Sequence, residues 1–191
     1  MGYTQQNVVS DIPGMASHTD PNLVNPWGLT FSATSPIWVS DNGSGLSTLY
    51  MGSGVAVPLV VTIPGTGGVP GAPTGVVFNG GADFRGDRFI FATEGGTIAG
   101  WQSGTSAATE ATTVDGVYKG LALGTAGGAL ELFAANFFAG TVDVFNNAYA
   151  PVNIVGGFID PNLPAALCPV QHRQPREPAV RDLRAAGCGQ A

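Results

Sequence analysis

The chain has 191 residues, of which 44% are hydrophobic and only 10% are charged, with 29 glycines and a net charge of −6. This length suits one domain with its own core, and many glycines with few charges favour short strands and tight turns over surface helices. The acidic balance argues against nucleic acid and anionic membranes as partners, because both require clustered Lys or Arg.

The N-terminal segment "YTQQNVVSD" predicts a single strand that stands before the rest of the fold. Such a strand is expected to pair with the last sheet of a ring and so close it. Met1 is followed by "GYTQQN" rather than by a charged start and an apolar segment, and no apolar run reaches the roughly 18 residues of a membrane span. We therefore expect the chain as written to carry no export signal and to be cytoplasmic when expressed.

Three landmarks recur along the body of the chain. A turn into an apolar strand contains Gly28, Gly75 and Gly120, which are 47 and 45 residues apart. A β-rich run follows each glycine, in "PIWVSDNG", "RFIFATEGG" and "LELFAANF". Another glycine then opens a strand that ends in an aromatic residue, in "GLSTLY", "GTIAGW" and "GTVDVF", and an apolar strand such as "PLVVTIP" closes the unit.

Four strands in each unit at this period predict an all-β fold, a β-propeller with three four-stranded blades within residues 1–167. An open β-sandwich with accidental internal similarity is the alternative. The segment "TDPNLVNP" returns as "IDPNLPAA", with Asp20 and Asp160 separated by 140 residues. Because that separation equals about three periods, a fourth blade is expected to begin near Cys168.

Residues 168–191 differ in composition from the body, since they hold both cysteines, four of the seven basic residues and no aromatic residue. Plausible codons for this tail, displaced by one base, spell a blade-like segment, so we predict a frameshift near Leu167. A genuine flexible basic tail is the alternative. In either case Cys168, Cys188 and His172 receive no functional role.

The segments "HTDPNLVNPWGLTFS", "IWVSDNGSGLSTLY", "PTGVVFN", "FIFATEGGTIAGW" and "LFAANFFAGTVDVFN" resemble an uncharacterised family of bacterial exported proteins. Some members of that family carry sorting tails, and its members are predicted to be NHL-like six-bladed propellers. The resemblance covers residues 3–166 and implies three blades of a six-bladed, exported parent, with no established activity. Three blades leave two open sheet faces, so we expect either a homodimer that completes the propeller or low stability alone.

The predicted site lies at one mouth of the propeller, where each inner strand begins and each second strand ends. Oxygen-bearing side chains of successive blades are expected to meet there as ligands of Ca²⁺, which prefers such hard donors: Asp41, Asn42, Glu94 and Asn136. Sequences such as "SDNG" also form good tight turns, which is the alternative interpretation. The opposite mouth is predicted to carry a solvated ion-pair cluster formed by Asp83, Arg85, Asp87 and Arg88.

Two functions remain open at this point. By resemblance to the six-bladed calcium lactonases, Ca²⁺ would polarise a lactone or ester carbonyl, possible substrates including acyl-homoserine lactones, and water activated by the metal, His18 or Asp20 would attack it. Substrate contacts are then expected from Asn25, Trp27, Phe137 and Phe138. In the second function, a non-catalytic propeller binds a glycan or a protein at the same mouth. The sequence contains no nucleophile elbow, phosphate loop or dinucleotide fingerprint, so nucleotide chemistry is not expected.

Overall fold

Three four-stranded sheets form the body of the protein in a computed structural model, which describes residues 2–154 and Phe158. Two short strands precede them: β1 (Val9–Ser10) and β2 (His18–Thr19). Sheet 1 contains β3 (Pro26–Thr30), β4 (Ile37–Asp41), β5 (Leu46–Tyr50) and β6 (Ala56–Thr62). Sheet 2 contains β7 (Pro73–Phe78), β8 (Phe89–Thr93), β9 (Thr97–Trp101) and β10 (Ala108–Thr112). Sheet 3 contains β11 (Tyr118–Ala126), β12 (Ala129–Asn136), β13 (Thr141–Phe145) and β14 (Pro151–Val152).

Each sheet is an antiparallel meander whose four strands lie side by side in chain order. The turn between the second and third strands ends at Gly45, Gly96 and Gly140, with φ of 72°, 75° and 69°. Residues with a Cβ are strained in this left-handed region, which explains why a glycine recurs immediately before each aromatic-ended strand. The predicted all-β class and the predicted four-strand units are confirmed.

The first strands of neighbouring sheets approach each other closely at glycines. A Cβ on Gly28 of β3 would lie 2.3 Å from the backbone oxygen of Thr74 in β7. A Cβ on Gly75 of β7 would lie 2.5 Å from the backbone nitrogen of Leu121 in β11. Neither distance is compatible with a side chain, so these two landmark glycines are positions at which successive sheets meet.

Sheet 2 lies between the other two sheets and is apolar on both faces, as expected for a sheet covered on both sides. Its contact with sheet 1 is aromatic: Trp38 stacks on Phe89 with ring centroids 4.1 Å apart, and Trp101 lies 4.6 Å from Trp38. Its contact with sheet 3 combines buried aliphatic side chains, such as Ile98, with buried aromatic ones, such as Tyr118. Truncating one large side chain in such a core costs about 3–5 kcal/mol, so the two contacts account for much of the stability of the fold.

Polar side chains also join sheets 2 and 3, and they correct one prediction. Asp87 is buried and accepts a 2.6 Å hydrogen bond from the hydroxyl of Tyr149. Gly100 lies directly against Asp87: a Cβ added to Gly100 would be 1.9 Å from the Asp87 carboxylate. The predicted solvated ion-pair cluster is therefore wrong for Asp87, whose carboxylate is inside the protein, while Arg85 forms an ion pair with Glu110 at 2.6 Å.

The N-terminal segment covers one face of sheet 1. Strands β1 and β2 pair in parallel, with Val9 opposite His18. Leu23 packs with Val39 and Tyr50 of sheet 1 in a small core of its own. The predicted strand is thus present, paired within the segment itself, and its predicted role in closing a ring stays a prediction.

The predictions for the tail, including the frameshift and the fourth blade near Cys168, lie outside the described residues. Within residues 2–154 and at Phe158, no helix has the length and apolar character needed to cross a membrane.

Candidate functional site

Strand pairing places three pairs of chain segments at one end of the sheets, which we call the mouth. At this end the first strand of each sheet begins beside the end of the second strand: Pro26 is opposite Asp41, Pro73 opposite Thr93 and Tyr118 opposite Asn136. Residues from the starts of β3 and β11 therefore meet the turns that follow β4 and β8. The predicted meeting of strand starts and turns at one end therefore follows from the register in which the first and second strands of each sheet pair.

A chain of polar contacts links five side chains across the mouth. The amide nitrogen of Asn25 donates to Oδ1 of Asn42 at 3.1 Å, and the amide nitrogen of Asn42 donates to Oε2 of Glu94 at 3.2 Å. The other Glu94 oxygen, Oε1, accepts from Nζ of Lys119. Nζ of Lys119 lies 4.9 Å from the ring centroid of Trp27, within reach of a cation–π interaction. We call these five side chains the mouth network.

Lys119 was not predicted as a site residue, although the sequence contains a signal for it. It is the single lysine of the chain, and it immediately precedes the landmark Gly120. Partial burial lowers the pKa of its ammonium group from the ordinary value of 10.5. Glu94 and Lys119 are each about one third exposed, so their ion pair is reached by solvent and contributes little to folding by itself.

Asp41, a predicted calcium ligand, lies away from the mouth network. It is fully buried on the face of sheet 1 that the N-terminal segment covers, and no side chain among the described residues donates a hydrogen bond to its carboxylate within normal geometry. Burial raises the pKa of Asp41 from 3.8 to about 7, which the charge of Asp20 reinforces and nearby Thr48 partly opposes. Asp41 is therefore held as a neutral acid over much of the acidic pH range.

Asn136, the fourth predicted ligand, is buried between sheets 2 and 3. Its amide nitrogen donates to Oδ2 of Asp143 at 2.8 Å, and its Oδ1 accepts from the backbone N–H of Val117 at 3.2 Å. The hydroxyl of Tyr118 donates to the same Asp143 oxygen at 2.9 Å. The polar atoms of Asn136 are thus engaged in holding the start of β11 to the end of β12.

His18 and Asp20, the predicted catalytic pair, lie on the N-terminal segment. His18 is exposed and lies beside Gly54 in the turn after β5. A Cβ added to Gly54 would be 3.0 Å from Cδ2 of His18. That turn is at the end of sheet 1 opposite the mouth. The Asp20 carboxylate accepts from the Tyr50 hydroxyl and from the backbone N–H of Asn22, both at 2.9 Å, so it is engaged in fixing the N-terminal segment on sheet 1.

The predicted aromatic wall is exposed to solvent. Trp27 is 44% exposed in β3, and Phe137 and Phe138 are exposed to a similar extent in the turn after β12. The backbone N–H of Phe137 donates to the backbone oxygen of Val117 at 2.8 Å, which fixes this turn at the mouth of sheet 3. Large aromatic side chains are therefore present at the mouth beside the polar contacts.

The four side chains predicted to bind calcium do not form one ligand set as placed. Asn42 and Glu94 are in contact, whereas Asp41 and Asn136 are buried on separate sheet faces. The Glu94 carboxylate is already paired with an ammonium group, which a metal ion would have to displace. Among the described residues, no three His, Cys, Asp or Glu side chains group closely enough to hold a metal ion. The residues as placed do not fit a calcium ion, and the calcium site stays a prediction.

Comparison with known proteins finds distant relatives. No protein-family model matches the chain. Two uncharacterised proteins of Acanthamoeba polyphaga mimivirus are 27% and 26% identical to it, each over 74% of this chain, and the matches cover 41% and 38% of those proteins. The chain thus spans about two fifths of the length of these relatives. The predicted membership of a bacterial exported NHL-like family is wrong on these findings, because no family matches and these relatives are viral.

Proposed function

We propose that the three sheets are successive blades of a β-propeller and that the mouth network binds a ligand. The chain-order meander, the face-to-face stacking and the recurrence of Gly28, Gly75 and Gly120 support the propeller. The greater length of the relatives leaves room for further blades. The first strands, which lie innermost in a propeller blade, would line a central channel that opens at the mouth.

The ligand that we propose is a glycan, bound without chemical change. The observation that carries this proposal is an exposed aromatic ring, Trp27, beside a continuous row of amide, carboxylate and ammonium groups. Asn25 and Asn42 offer both donors and acceptors, Glu94 accepts and Lys119 donates. A sugar presents hydroxyl groups on its edge and C–H groups on its face, so one such ligand can use the polar row and the ring together.

Three contacts favour binding over calcium-dependent hydrolysis of a lactone or ester. Glu94 is neutralised by Lys119 rather than left open for a cation. Asp20 is engaged by Tyr50 and Asn22. His18 lies toward the other end of sheet 1. Neither His18 nor Asp20 therefore makes a hydrogen bond to the five side chains of the mouth network.

Calorimetric titration of purified protein against a panel of neutral and acidic oligosaccharides tests this proposal. We expect at least one member to bind, and Trp27→Ala to weaken that binding by about tenfold or more, equivalent to about 1.4 kcal/mol. Val69→Ala is the matched control, because Val69 is a similarly exposed apolar residue in the loop before β7.

A lactone and ester panel assayed on the same preparation, with Ca²⁺ and with excess chelator, provides the contrary outcome. Hydrolysis that is lost on chelation, together with no glycan binding by folded protein, would contradict the proposed binding function and support the hydrolase. Glycan binding that is unchanged in Trp27→Ala would place the glycan site elsewhere.

A further inference from the structure

The outer face of sheet 3 repeats the surface that sheet 2 presents to sheet 3. On sheet 2, this surface consists of side chains in the core between the two sheets: Val77, Ile90, Ala92 and Ile98. Strand register gives the matching positions on sheet 3, which are all apolar: Ala122, Phe133, Ala135 and Val142. Ala122 and Ala135 are exposed, Val142 is half-buried, and half-buried Phe133 meets the exposed ring of Phe158 edge-on, with ring centroids 5.6 Å apart. Sheet 3 therefore carries an apolar face of the kind that elsewhere in this protein is covered by another sheet.

The landmark glycine of sheet 3 is free of the contact that its two counterparts make. Gly28 meets β7 and Gly75 meets β11, so each glycine admits the first strand of the next sheet. A Cβ on Gly120 would meet nothing within 4 Å among the described residues. By the same geometry, Gly120 marks where the first strand of a further sheet would lie.

The opposite end of the stack carries the complementary half of this contact. Leu29 is 60% exposed and Phe31 is exposed to a similar extent. Val76, which matches Leu29 in sheet 2, is only 6% exposed and packs against the preceding sheet. Leu121, the match in sheet 3, packs against sheet 2. Leu29 and Phe31 thus occupy positions that in the other two sheets are covered by the sheet before.

The N-terminal segment does not cover this end completely. It packs on the part of sheet 1 that contains Val39 and Tyr50 and leaves Leu29 of β3 exposed. One chain therefore has two unmatched surfaces, a glycine-bearing face on sheet 3 and an aliphatic and aromatic row on β3. The contact between Gly75 and Leu121 shows how such surfaces fit, with the strand backbones in close approach.

We propose that a second copy of this chain docks on sheet 3, with its Leu29 beside Gly120 in the manner of Leu121 beside Gly75. A two-fold axis repeats the contact at the other end, so that Leu29 and Gly120 of both chains are covered. Two copies then form a closed set of six sheets. This inference extends the proposed propeller and does not depend on the ligand at the mouth.

The mass of the purified chain in solution, measured by light scattering after size exclusion over a range of concentrations, tests this proposal. We expect a species of twice the 19.3 kDa of one chain. Gly120→Leu is expected to weaken the association at least tenfold, because the added side chain fills the space meant for the partner's β3. The substitution has open space within one chain, and Gly120 has no positive φ.

A second variant tests the other half of the contact and keeps the test valid if Gly120→Leu fails to fold. Leu29→Glu places a charge on an exposed residue of β3, and we expect the same loss of association. The matched controls are Gly52→Leu, at a glycine that also has open space and no positive φ, and Val69→Glu, at a residue 59% exposed. Both controls are expected to keep the doubled mass.

Three results would overturn the proposal. A wild-type chain that stays at 19.3 kDa at about 100 µM would mean that no second copy covers the face. A pair that survives both Gly120→Leu and Leu29→Glu would use a different surface. Growth beyond the pair into longer assemblies would contradict the closed two-fold arrangement. Glycan titration of the same samples reports separately on the mouth.

Discussion

Asp41 and Asn42 are neighbours in the sequence, yet they belong to regions of different character. Asn42 is part of the mouth network, where side chains from three sheets touch each other and solvent. Asp41 is enclosed between sheet 1 and the N-terminal segment, near Asp20 and Tyr50. One peptide bond separates a residue suited to ligand binding from one that acts on stability. Asn136 is buried and acts on stability, as Asp41 does. Glu94 belongs to the mouth network, as Asn42 does.

The pleat of the strand explains the difference. Asp41 is the last residue of β4, and the alternation of side chains directs it to the face that Val39 also occupies. Asn42 follows in the turn, beyond the sheet, where no face is buried. A polar residue that ends a strand is therefore structural in this fold, and the residue after it is available for function.

The largest expected effect is on stability at Asn136. Asn136→Ala removes one of the two hydrogen bonds that Oδ2 of Asp143 accepts and leaves the backbone N–H of Val117 without its acceptor, so we expect the free energy of unfolding to fall by about 2–3 kcal/mol. Urea denaturation measures it. Asn42→Ala, the same change at the mouth, should cost about 0.5 kcal/mol or less. Equal losses in the two variants would remove the distinction between the regions.

A smaller effect, with a characteristic pH dependence, is expected at Asp41. The pKa of Asp41 is raised from 3.8 to about 7 in the folded protein. The contribution of Asp41 to the free energy of unfolding is therefore fully present below about pH 4. It is lost as pH rises through about 7, and the loss is up to about 1.4 kcal/mol for each unit by which the pKa is raised. Asp41→Asn should stabilise the protein by about 1–3 kcal/mol at pH 8 and change little at pH 4.

Denaturation of wild-type and Asp41→Asn protein at several pH values provides the comparison. Asp11→Asn is the control, because Asp11 is exposed. A wild-type stability that does not fall relative to Asp41→Asn between pH 4 and pH 8 would mean that Asp41 is ionised without penalty, and would contradict its burial.

The smallest effect on stability is expected at Glu94. Glu94→Gln removes a solvent-reached ion pair, so the free energy of unfolding should change by about 0.5 kcal/mol or less. Under the proposed function, glycan affinity should fall about tenfold, because Lys119 loses the group that positions it over Trp27. Glu110→Gln, at the ion pair with Arg85, is the control and should leave glycan affinity unchanged. A large loss of stability in Glu94→Gln would show the mouth network to be structural.

The sequence predicted much of the fold and part of the candidate site. The spacing of Gly28, Gly75 and Gly120 was sufficient for the sheets, because close backbone approach at the first two glycines admits no side chain and leaves a regular trace. The grouping of Asn25, Asn42 and Glu94 followed from strand register. The separation of Asp41 and Asn136 from them did not, because it depends on which sheet face is covered. Asp87 was misjudged for the same reason, since its partner Tyr149 is 62 residues away.

The accessibility of Trp27 tests the central claim, that the mouth network is a ligand site, most directly. Of the three tryptophans, Trp27 is exposed while Trp38 and Trp101 are buried, so acrylamide quenching of fluorescence reports chiefly on Trp27. The account predicts that a binding oligosaccharide lowers the quenching in a saturable way in wild-type protein and has no such effect in Trp27→Phe. Unchanged quenching of folded wild-type protein across the whole panel, or the same change in Trp27→Phe, would contradict it.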